Sequence, residues 1–303
     1  MGRDVCDGCA GFKEGMNKKG MKIFVTGATG FIGNYVVKKL LKQHCHVIAT
    51  SRNMNKAQSF KWFSQVEYIP CDLNTIEDNG FQFFQQPDLL IHLAWEGLPN
   101  YKDMSHLEKS LISNYRFLKN MIEYGLKSLI VTGTCFEYGM QSGPLSEGLE
   151  TKPDNPYGLA KDTLRKFLEQ LQKKFDFEFK WVRLFYMYGK GQSPNSVISE
   201  LDRALESGDS TFNMSGGEQL RDYLPVEKVA EYIVKIAIQN KVHGIINCCS
   251  GNPISIRSLV ENYLKRKQKN IYLNLGYYPY PDYEPMAFWG DDKKLKMALE
   301  DGV

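Results

Sequence analysis

Tyr157 and Lys161 stand four residues apart in the segment Asn155-Pro-Tyr-Gly-Leu-Ala-Lys161, and on a helix this spacing puts a phenol and an amine on one face. A phenol ordinarily loses its proton near pH 10, so it is a poor acid–base group at neutral pH. A lysine ammonium close by favours the phenolate and draws the pKa toward the working range. The two residues are therefore a candidate proton-transfer pair, although a surface pair with this spacing is common by chance.

A hydroxyl at the end of a predicted strand adds a third candidate group. In the segment Thr132-Gly-Thr-Cys-Phe-Glu-Tyr-Gly139, Thr134 is expected to project from the carboxyl edge of the sheet, where the tyrosine helix also begins. There it is suited to donate a hydrogen bond to a carbonyl oxygen that gains negative charge. A threonine that only stabilises a turn is the alternative interpretation.

A glycine-rich turn near the N-terminus predicts a dinucleotide site. The apolar segment Lys22–Thr26 runs directly into glycines spaced G-x-x-G-x-x-G, and a helical pattern follows. Gly27 permits a sharp turn off the strand, Gly30 has no Cβ to block a diphosphate, and Gly33 permits close packing of the helix on the sheet. The free N–H groups at the start of that helix attract the anion.

Strand and helix patterns alternate from Lys22 onward, which predicts an α/β fold with a doubly wound parallel (Rossmann) sheet and a smaller C-terminal substrate lobe. The predicted strands are Lys22–Thr26, His46–Thr50, Glu67–Ile69, Asp88–Leu93, Ser128–Thr132 and Glu178–Leu184, and the main helices are Phe31–Gln43, Leu107–Tyr124 and Pro156–Lys174. We predict a disordered N-terminal extension at 1–20, an NAD(P)-binding domain at 21–185 and a predominantly substrate-binding lobe at 186–303.

The composition is that of an ordinary globular protein. The 303 residues are 43% hydrophobic and 24% charged, and the net charge is +3, which is too small to suggest a nucleic-acid partner. We find neither an apolar run of the roughly 20 residues that a membrane span needs nor the apolar core of a secretory signal. From these two observations we predict a cytoplasmic location. Of the 7 cysteines, Cys6 and Cys9 form one C-x-x-C with no second ligand pair, so we predict no metal site.

Six motifs in order resemble the extended short-chain dehydrogenase/reductase family, which comprises NAD(P)-dependent epimerases, dehydratases and reductases of nucleotide sugars. They are Thr26-Gly-Ala-Thr-Gly-Phe-Ile-Gly33, His92-Leu-Ala94, Asn114, Thr134…Tyr138-Gly139, Tyr157-x-x-x-Lys161 and Arg221-Asp-Tyr223, and the resemblance covers roughly residue 21 to the C-terminus. It implies that Tyr157 is the general acid–base, Lys161 holds the nicotinamide ribose and Thr134 binds the sugar carbonyl oxygen. Asn114 would support a water network, and the planar, charged fork of Arg221 would bind the nucleotide diphosphate.

The residues after the second strand favour NADP(H) as cofactor. An acidic residue there would bind the ribose hydroxyls of NAD, but the sequence reads Thr50-Ser-Arg-Asn53. Arg52 is suited to pair with a 2′-phosphate and Ser51 to add a hydrogen bond, while NAD(H) is the alternative, since arginines here are also common on plain surfaces. By the resemblance, the other cofactor contacts are Gly27, Thr29, Gly30, Phe31, Ile32, Gly33, Asp72, Leu73, Leu93, Ala94, Asn114 and Lys161.

Departures from the family pattern disfavour two of the reaction types that the family catalyses, dehydration and the epimerisation of the GDP-fucose synthase type. The 4,6-dehydratases carry Asp-Glu directly after the catalytic threonine, whereas this chain has Cys135 and Phe136. The GDP-fucose synthase type uses a cysteine and a histidine at places that here hold Phe136 and Gly191. Tyr186 replaces an asparagine that commonly contacts substrate phosphate, and Trp95 faces the expected sugar pocket, either as a wall for the hexose or as a packing residue.

The remaining groups suffice for one hydride transfer at a sugar carbon. We therefore expect NADPH-dependent reduction of a nucleotide-activated 4-keto-6-deoxy sugar, for example a dTDP-4-dehydro-6-deoxyhexose, in the biosynthesis of surface polysaccharides such as lipopolysaccharide. An NAD-dependent nucleotide-sugar 4-epimerase is the first alternative, and a non-catalytic NADP-binding sensor is the second. The family likeness also implies a homodimer that forms through the helices near 107–124 and 156–174.

Overall fold

The computed structural model describes residues 20–76 and 78–300, so the Cys6/Cys9 pair and almost all of the predicted extension lie outside the described residues. The strands are β1 (Lys22–Thr26), β2 (His46–Thr50), β3 (Glu67–Tyr68), β4 (Leu89–His92), β5 (Ser128–Thr134), β6 (Gly143–Leu145), β7 (Glu178–Leu184), β8 (Tyr186–Tyr188), β9 (Thr211–Asn213), β10 (Leu220–Arg221), β11 (Tyr223–Pro225), β12 (Gly244–Cys248), β13 (Ile254–Ser255), β14 (Tyr272–Asn274) and β15 (Phe288–Gly290).

The helices alternate with these strands through most of the chain. They are α1 (Phe31–Lys42), α2 (Met54–Gln58), α3 (Gly80–Phe83), α4 (Ile112–Glu123), α5 (Pro156–Gln172), α6 (Val197–Ser207), α7 (Val226–Ile238), α8 (Ile256–Lys267) and α9 (Lys293–Glu300). A π-helical segment, His106–Leu111, leads into α4, and a 3₁₀ turn, Cys135–Tyr138, follows β5. No helix among the described residues is both long enough and apolar enough to cross a lipid bilayer.

One parallel sheet organises the described part of the chain, with seven strands in the order β12-β7-β5-β4-β1-β2-β3. Its central strands are buried on both faces, because α1 and α7 pack on one side while α4 and α5 pack on the other. This arrangement confirms the predicted doubly wound α/β fold. The strand order reverses beside β1, so the crevice outside the carboxyl ends of β1 and β4 is the expected ligand site.

Residues beyond 186 contribute to this sheet as well as to a smaller lobe. Strand β12 pairs with β7 in parallel, with Gly244 opposite Lys180 and Cys248 opposite Leu184. The smaller lobe has its own apolar core, in which Leu201 of α6, Phe212 of β9 and Val260 of α8 are buried. Two-stranded pairs, β8 with β11 and β6 with β15 among them, connect the lobe to the edge of the main sheet where β5 and β7 end.

Candidate active site

The turn between β1 and α1 has the shape that a diphosphate needs. Gly27 has φ +66°, and a Cβ at this residue would lie 2.9 Å from the backbone nitrogen of Ala94. A Cβ on Gly30 would lie 3.0 Å from the carbonyl oxygen of Gly27, and one on Gly33 would collide with that same oxygen. Side chains are thus excluded from the helix N-terminus, and its N–H groups stay open to an anion. The residues present fit a bound dinucleotide.

We predict that Gly33→Ala lowers the free energy of unfolding by about 2 kcal/mol, because the added methyl group has to displace the Gly27 carbonyl. Denaturant unfolding followed by circular dichroism measures the effect. Gly148→Ala is the matched control, since nothing lies within 4 Å of a Cβ built there. Equal stability of the two variants would contradict the proposed close packing of α1 on the sheet.

A cavity of about 400 Å³, here called the adenosine cavity, opens beside the glycine turn and brings together most of the predicted cofactor contacts. Its lining includes Gly27, Thr29, Gly30, Ser51, Arg52, Asp72, Leu73, Leu93, Ala94 and Asn114. The Thr29 hydroxyl donates to Ser51 Oγ at 2.9 Å, and the Asp72 carboxylate accepts from the backbone nitrogen of Asn74 at 3.0 Å. Asp72 therefore caps a 3₁₀ turn while it also faces the cavity.

A second cavity, also of about 400 Å³, lies over the carboxyl ends of β5 and β7 and is mostly apolar. It collects the remaining predicted residues except Lys161 and Arg221: Phe31, Ile32, Gly33, Trp95, Thr134, Tyr157 and Tyr186 all line it. Sequence reasoning did not identify Tyr101, although its ring lies 4.7 Å from that of Phe136 and 5.6 Å from that of Tyr157. The sequence gives no pattern that marks Tyr101, because a single tyrosine in a loop has no fixed spacing from other functional residues.

Helix α5 presents the tyrosine and the lysine as the spacing predicts. The helix begins there because the Asn155 side chain accepts from the backbone nitrogen of Gly158 at 2.9 Å and Pro156 occupies the first turn. Both Tyr157 and Lys161 are buried. The lysine Nζ donates to the carbonyl oxygen of Thr132 at 2.8 Å.

Burial dominates the ionisation of both groups. It raises the pKa of Tyr157, with smaller increases from the neighbouring Tyr101 and Cys135, and it lowers the pKa of Lys161 to about 7. The sequence predicts that the ammonium draws the phenol pKa downward, but in this structure the pKa of Tyr157 is raised. The physical reason is desolvation, because burial disfavours the charged phenolate. A phenol in this state keeps its proton at neutral pH and acts as an acid.

Thr134 ends β5 and also caps the turn that follows. Its hydroxyl accepts from the backbone nitrogen of Phe136 at 3.3 Å, and its own nitrogen donates to Glu137 at 2.8 Å. Glu137 is fully buried and binds Arg183 Nε at 2.7 Å and Trp181 Nε1 at 2.9 Å. Sequence reasoning missed Glu137, although the spacing Thr-x-x-Glu is that of a capping box. The buried carboxylate fixes the backbone that carries Thr134.

Trp95 and His106 form a hydrogen-bonded pair beside the reacting groups. The sequence predicted a role for Trp95 but not for His106. The Trp95 Nε1 donates to His106 Nδ1 at 3.1 Å, so the other ring nitrogen carries the proton that goes to the Asn100 carbonyl oxygen at 2.8 Å. The Lys161 ammonium lies 4.0 Å from the centre of the indole ring. Trp95 lines both 400 Å³ cavities, so it is at once a packing residue and a wall of the site. No sequence signal pointed to His106.

Asn114 lies on α4 and binds a histidine at the end of β4. Its Oδ1 lies 2.7 Å from Nε2 of His92, whose other ring nitrogen lies 2.9 Å from the Thr26 hydroxyl. Burial, together with the nearby Lys161 charge, lowers the pKa of His92 to about 3, so this imidazole is neutral. Asn114 therefore connects α4 to the carboxyl end of β4, and it also lines the adenosine cavity.

A third cavity, of about 540 Å³, lies between the main sheet and the smaller lobe and contains Arg221. The guanidinium donates to Glu284 at 2.7 Å and 2.9 Å and lies 4.5 Å over the ring of Phe288. The Tyr186 hydroxyl donates to the same carboxylate at 2.5 Å. Glu284, 63 residues beyond Arg221, was not identified from the sequence. Glu284 holds the side chains of Arg221 and Tyr186, two of the predicted substrate-binding residues, along one wall of this cavity.

Known proteins resemble the chain over most of its length. Residues 23–249 match the NAD dependent epimerase/dehydratase family. A dTDP-6-deoxy-L-talose 4-dehydrogenase (NAD(+)) from Aggregatibacter actinomycetemcomitans is 34% identical over 278 residues, which cover 89% of this chain and 99% of that protein.

Two solved structures show the same fold. The UDP-glucuronic acid 4-epimerase of Bacillus cereus, in complex with UDP-glucuronic acid and NAD, is 26% identical with a TM-score of 0.78, and the match covers 92% of this chain and 93% of that one. A UDP-N-acetylglucosamine 4-epimerase from Methanobrevibacter ruminantium M1, in complex with UDP-N-acetylmuramic acid, is 21% identical with a TM-score of 0.82 and 92% coverage of each chain. The second likeness bears on the fold alone.

Proposed function

Since the chain belongs to the NAD dependent epimerase/dehydratase family, and is thus an enzyme of the extended short-chain dehydrogenase/reductase type, we propose that it reduces the 4-keto group of a nucleotide-activated 6-deoxy sugar. The observation that carries this proposal is the buried Tyr157 phenol, which keeps its proton beside Thr134 in a mostly apolar cavity. Cys135 and Phe136 occupy the places at which a dehydratase holds its carboxylates.

We assign the roles of the residues from the family resemblance, and their positions in the structure support this assignment. Tyr157 donates its proton to the sugar C4 oxygen, and Thr134 donates a hydrogen bond that stabilises negative charge on that oxygen. Lys161, fixed between the Thr132 carbonyl and the Trp95 ring, binds the nicotinamide ribose. When bound, the pyridine nucleotide supplies the hydride. The mostly apolar lining lowers the polarity around the reacting groups, which strengthens the hydrogen bonds made there.

NADP(H) is the cofactor we favour, and NAD(H) is the alternative. Arg52 and Ser51 both line the adenosine cavity, where an arginine is suited to bind a 2′-phosphate. Asp72, also in that lining, is the proposed adenine contact. The name of the 34% identical relative specifies NAD(+), and this favours the alternative.

The nucleotide end of the substrate is proposed to occupy the 540 Å³ cavity. Arg221, held in place by Glu284, provides the positive charge for a diphosphate, and Tyr186 lines the passage between this cavity and the reacting groups. The dTDP- and GDP-linked 6-deoxytaloses in the names of two relatives, which are 34% and 24% identical, support a 6-deoxyhexose.

We predict that Arg221→Lys raises the KM for the nucleotide sugar roughly 10- to 100-fold, because a lysine cannot keep the two hydrogen bonds to Glu284 and at the same time present an N–H group to a diphosphate. The kcat should stay within about threefold of the wild-type value, since the lost contact is made equally in the ground and transition states. Arg257→Lys, an exposed arginine that binds Glu261 on α8, is the matched control. An unchanged KM would remove Arg221 from the diphosphate site.

A substrate screen tests the proposal directly. Purified protein is mixed with dTDP-, GDP-, CDP- or UDP-4-keto-6-deoxyhexoses and with NADPH or NADH, and the loss of absorbance at the nicotinamide band is followed. A 4-epimerase, the second candidate, would retain NAD through purification and interconvert 4-epimers without added reductant. The 26% identical UDP-glucuronic acid 4-epimerase favours this candidate. A non-catalytic sensor would bind nucleotide and turn over nothing.

We further propose that the protein works as a cytoplasmic homodimer in the biosynthesis of surface polysaccharide. Leu159 and Phe167 of α5 and Ile112 of α4 are large apolar side chains that stay exposed on adjacent helices, and this surface suits a helix–helix contact between subunits. Cys71, Cys135, Cys248 and Cys249 are free thiols, as is usual in a reducing compartment. Light scattering of the purified protein measures the subunit number.

A further inference from the structure

An ion pair bridges the adenosine cavity from two different strands. Arg52 follows β2 and Glu96 lies beyond the end of β4, and these two strands flank β1 in the sheet. The Arg52 Nη1 and Glu96 Oε1 atoms are 2.5 Å apart, with the two side chains 60% and 52% exposed. Both residues line the cavity that also holds the glycine turn. The pair therefore spans the end of β1, above the place proposed for the cofactor.

We propose that Glu96 is a specificity-determining residue, which restrains the preference for NADP(H) by holding the guanidinium of Arg52. This inference rests on the proposed dinucleotide site. The end of β2 lacks the acidic residue that binds ribose hydroxyls in NAD-dependent proteins of this fold. Glu96 brings a carboxylate into the same cavity from beyond the end of β4, and its ion pair with Arg52 connects the segments that follow β2 and β4.

The two cofactors make different demands on this pair. The 2′-phosphate of NADP(H) is an anion that needs Arg52, so it has to take the guanidinium from Glu96 and then lie close to an uncompensated carboxylate. Breaking an exposed ion pair costs little by itself, and the repulsion between carboxylate and phosphate adds to that cost. The 2′-hydroxyl of NAD(H) is uncharged and can donate a hydrogen bond to a carboxylate, so the pair can stay closed.

Other charged groups in the lining do not replace Glu96. Asp72 is the second carboxylate in the cavity, but it already accepts hydrogen bonds from the backbone and side chain of Asn74. Lys56 adds a second positive charge on the same side as Arg52. Removing the charge of Glu96 therefore leaves the cavity with an excess of positive charge, which favours a phosphate.

The experiment measures binding, not turnover. Dissociation constants for NADPH and NADH are determined by nucleotide fluorescence for the wild type, Glu96→Gln, Arg52→Gln and the double variant, at about 0.05 and 0.5 M salt. We expect Glu96→Gln to bind NADPH roughly tenfold more tightly and NADH no more tightly, with the gain shrinking at high salt. In the Arg52→Gln background the same substitution should give a clearly smaller gain.

Glu150→Gln is the matched control, because Glu150 is an exposed carboxylate that pairs with Lys152 outside the cavity. It should leave both dissociation constants unchanged. The inference is overturned if Glu96→Gln changes NADPH and NADH binding alike, or if the gain persists in full without Arg52. A wild type that binds neither nucleotide would overturn the proposed function as well, whereas tight binding of both with no effect at Glu96 would overturn this inference alone.

Discussion

Replacing Tyr157 with phenylalanine should lower turnover of the 4-keto sugar about 1000-fold, because the site then has no proton donor at the reacting oxygen. The substitution removes one hydroxyl from a buried ring and keeps the ring contacts with Tyr101, His106 and Trp95. Nucleotide binding should persist, since the glycine turn and the adenosine cavity are untouched. Initial rates with NADPH measure the loss, and nucleotide fluorescence measures the binding that remains.

Tyr115→Phe is the matched control for this prediction. Tyr115 lies on α4 with its ring 5.1 Å from that of Phe167, so the variant loses the same atom outside the three cavities. Its turnover should equal that of the wild type. If Tyr157→Phe retained more than about a tenth of the wild-type rate, Tyr157 would not be the proton donor.

Lys161→Met should abolish most of the activity and at the same time stabilise the protein. Turnover should fall about 100-fold or more, because no charged group then holds the nicotinamide ribose. The free energy of unfolding should rise by about 1–3 kcal/mol at pH 7, because a buried ammonium is replaced by an apolar side chain of similar length. The lost hydrogen bond to Thr132 and the lost contact with the Trp95 ring limit this gain.

The gain in stability should depend on pH in a defined direction. The pKa of Lys161 is lowered from its ordinary 10.5 to about 7 in the folded protein. Between these values the unfolded chain binds the proton that the folded chain has released, so wild-type stability rises with pH across this window. Lys161→Met lacks this contribution, and its advantage over the wild type should therefore shrink from pH 7 to pH 10. Denaturant unfolding at pH 7, 8.5 and 10 measures the difference.

A second buried lysine supplies the control. Burial lowers the pKa of Lys180 on β7 to about 8, and its ammonium donates to the carbonyl oxygens of Ile236 and Gln239. Lys180→Met removes a buried charge that is bonded to the carboxyl end of α7 and not to β5 or Trp95, so turnover should be retained in this variant. A Lys161→Met protein that is both active and no more stable than the wild type would contradict the assigned burial and the assigned role.

The prediction of the sheet succeeded because its signals are local. The bounds predicted for three strands, Lys22–Thr26, His46–Thr50 and Glu178–Leu184, are those of the structure. The first two are short runs in which apolar and β-branched residues predominate, and the third places apolar residues between charged ones. The predicted bounds differ from the observed ones at the carboxyl end of β5, which continues to Thr134. They also differ in the helix predicted from residue 107, where a π-helical segment precedes α4. These two deviations lie at the site, where tertiary contacts override the local pattern. The strands predicted at Glu67–Ile69 and Asp88–Leu93 also extend one residue beyond the observed ends, since the observed strands are Glu67–Tyr68 and Leu89–His92.

The sequence by itself determined the glycine turn and the alternation of strands and helices along the chain. It also determined that Tyr157 and Lys161 share one helical face. These features depend on backbone conformation and on spacings of a few residues, which the amino-acid order specifies directly.

Tertiary structure alone decided which partners hold the functional groups and in which protonation state. Glu284 binds Arg221, His106 binds Trp95, Glu96 binds Arg52, and burial reverses the expected direction of the pKa shift at Tyr157. Hydrogen bonds, ion pairs and desolvation depend on distances in space, and these distances exist only once separate strands, loops and lobe segments have packed together.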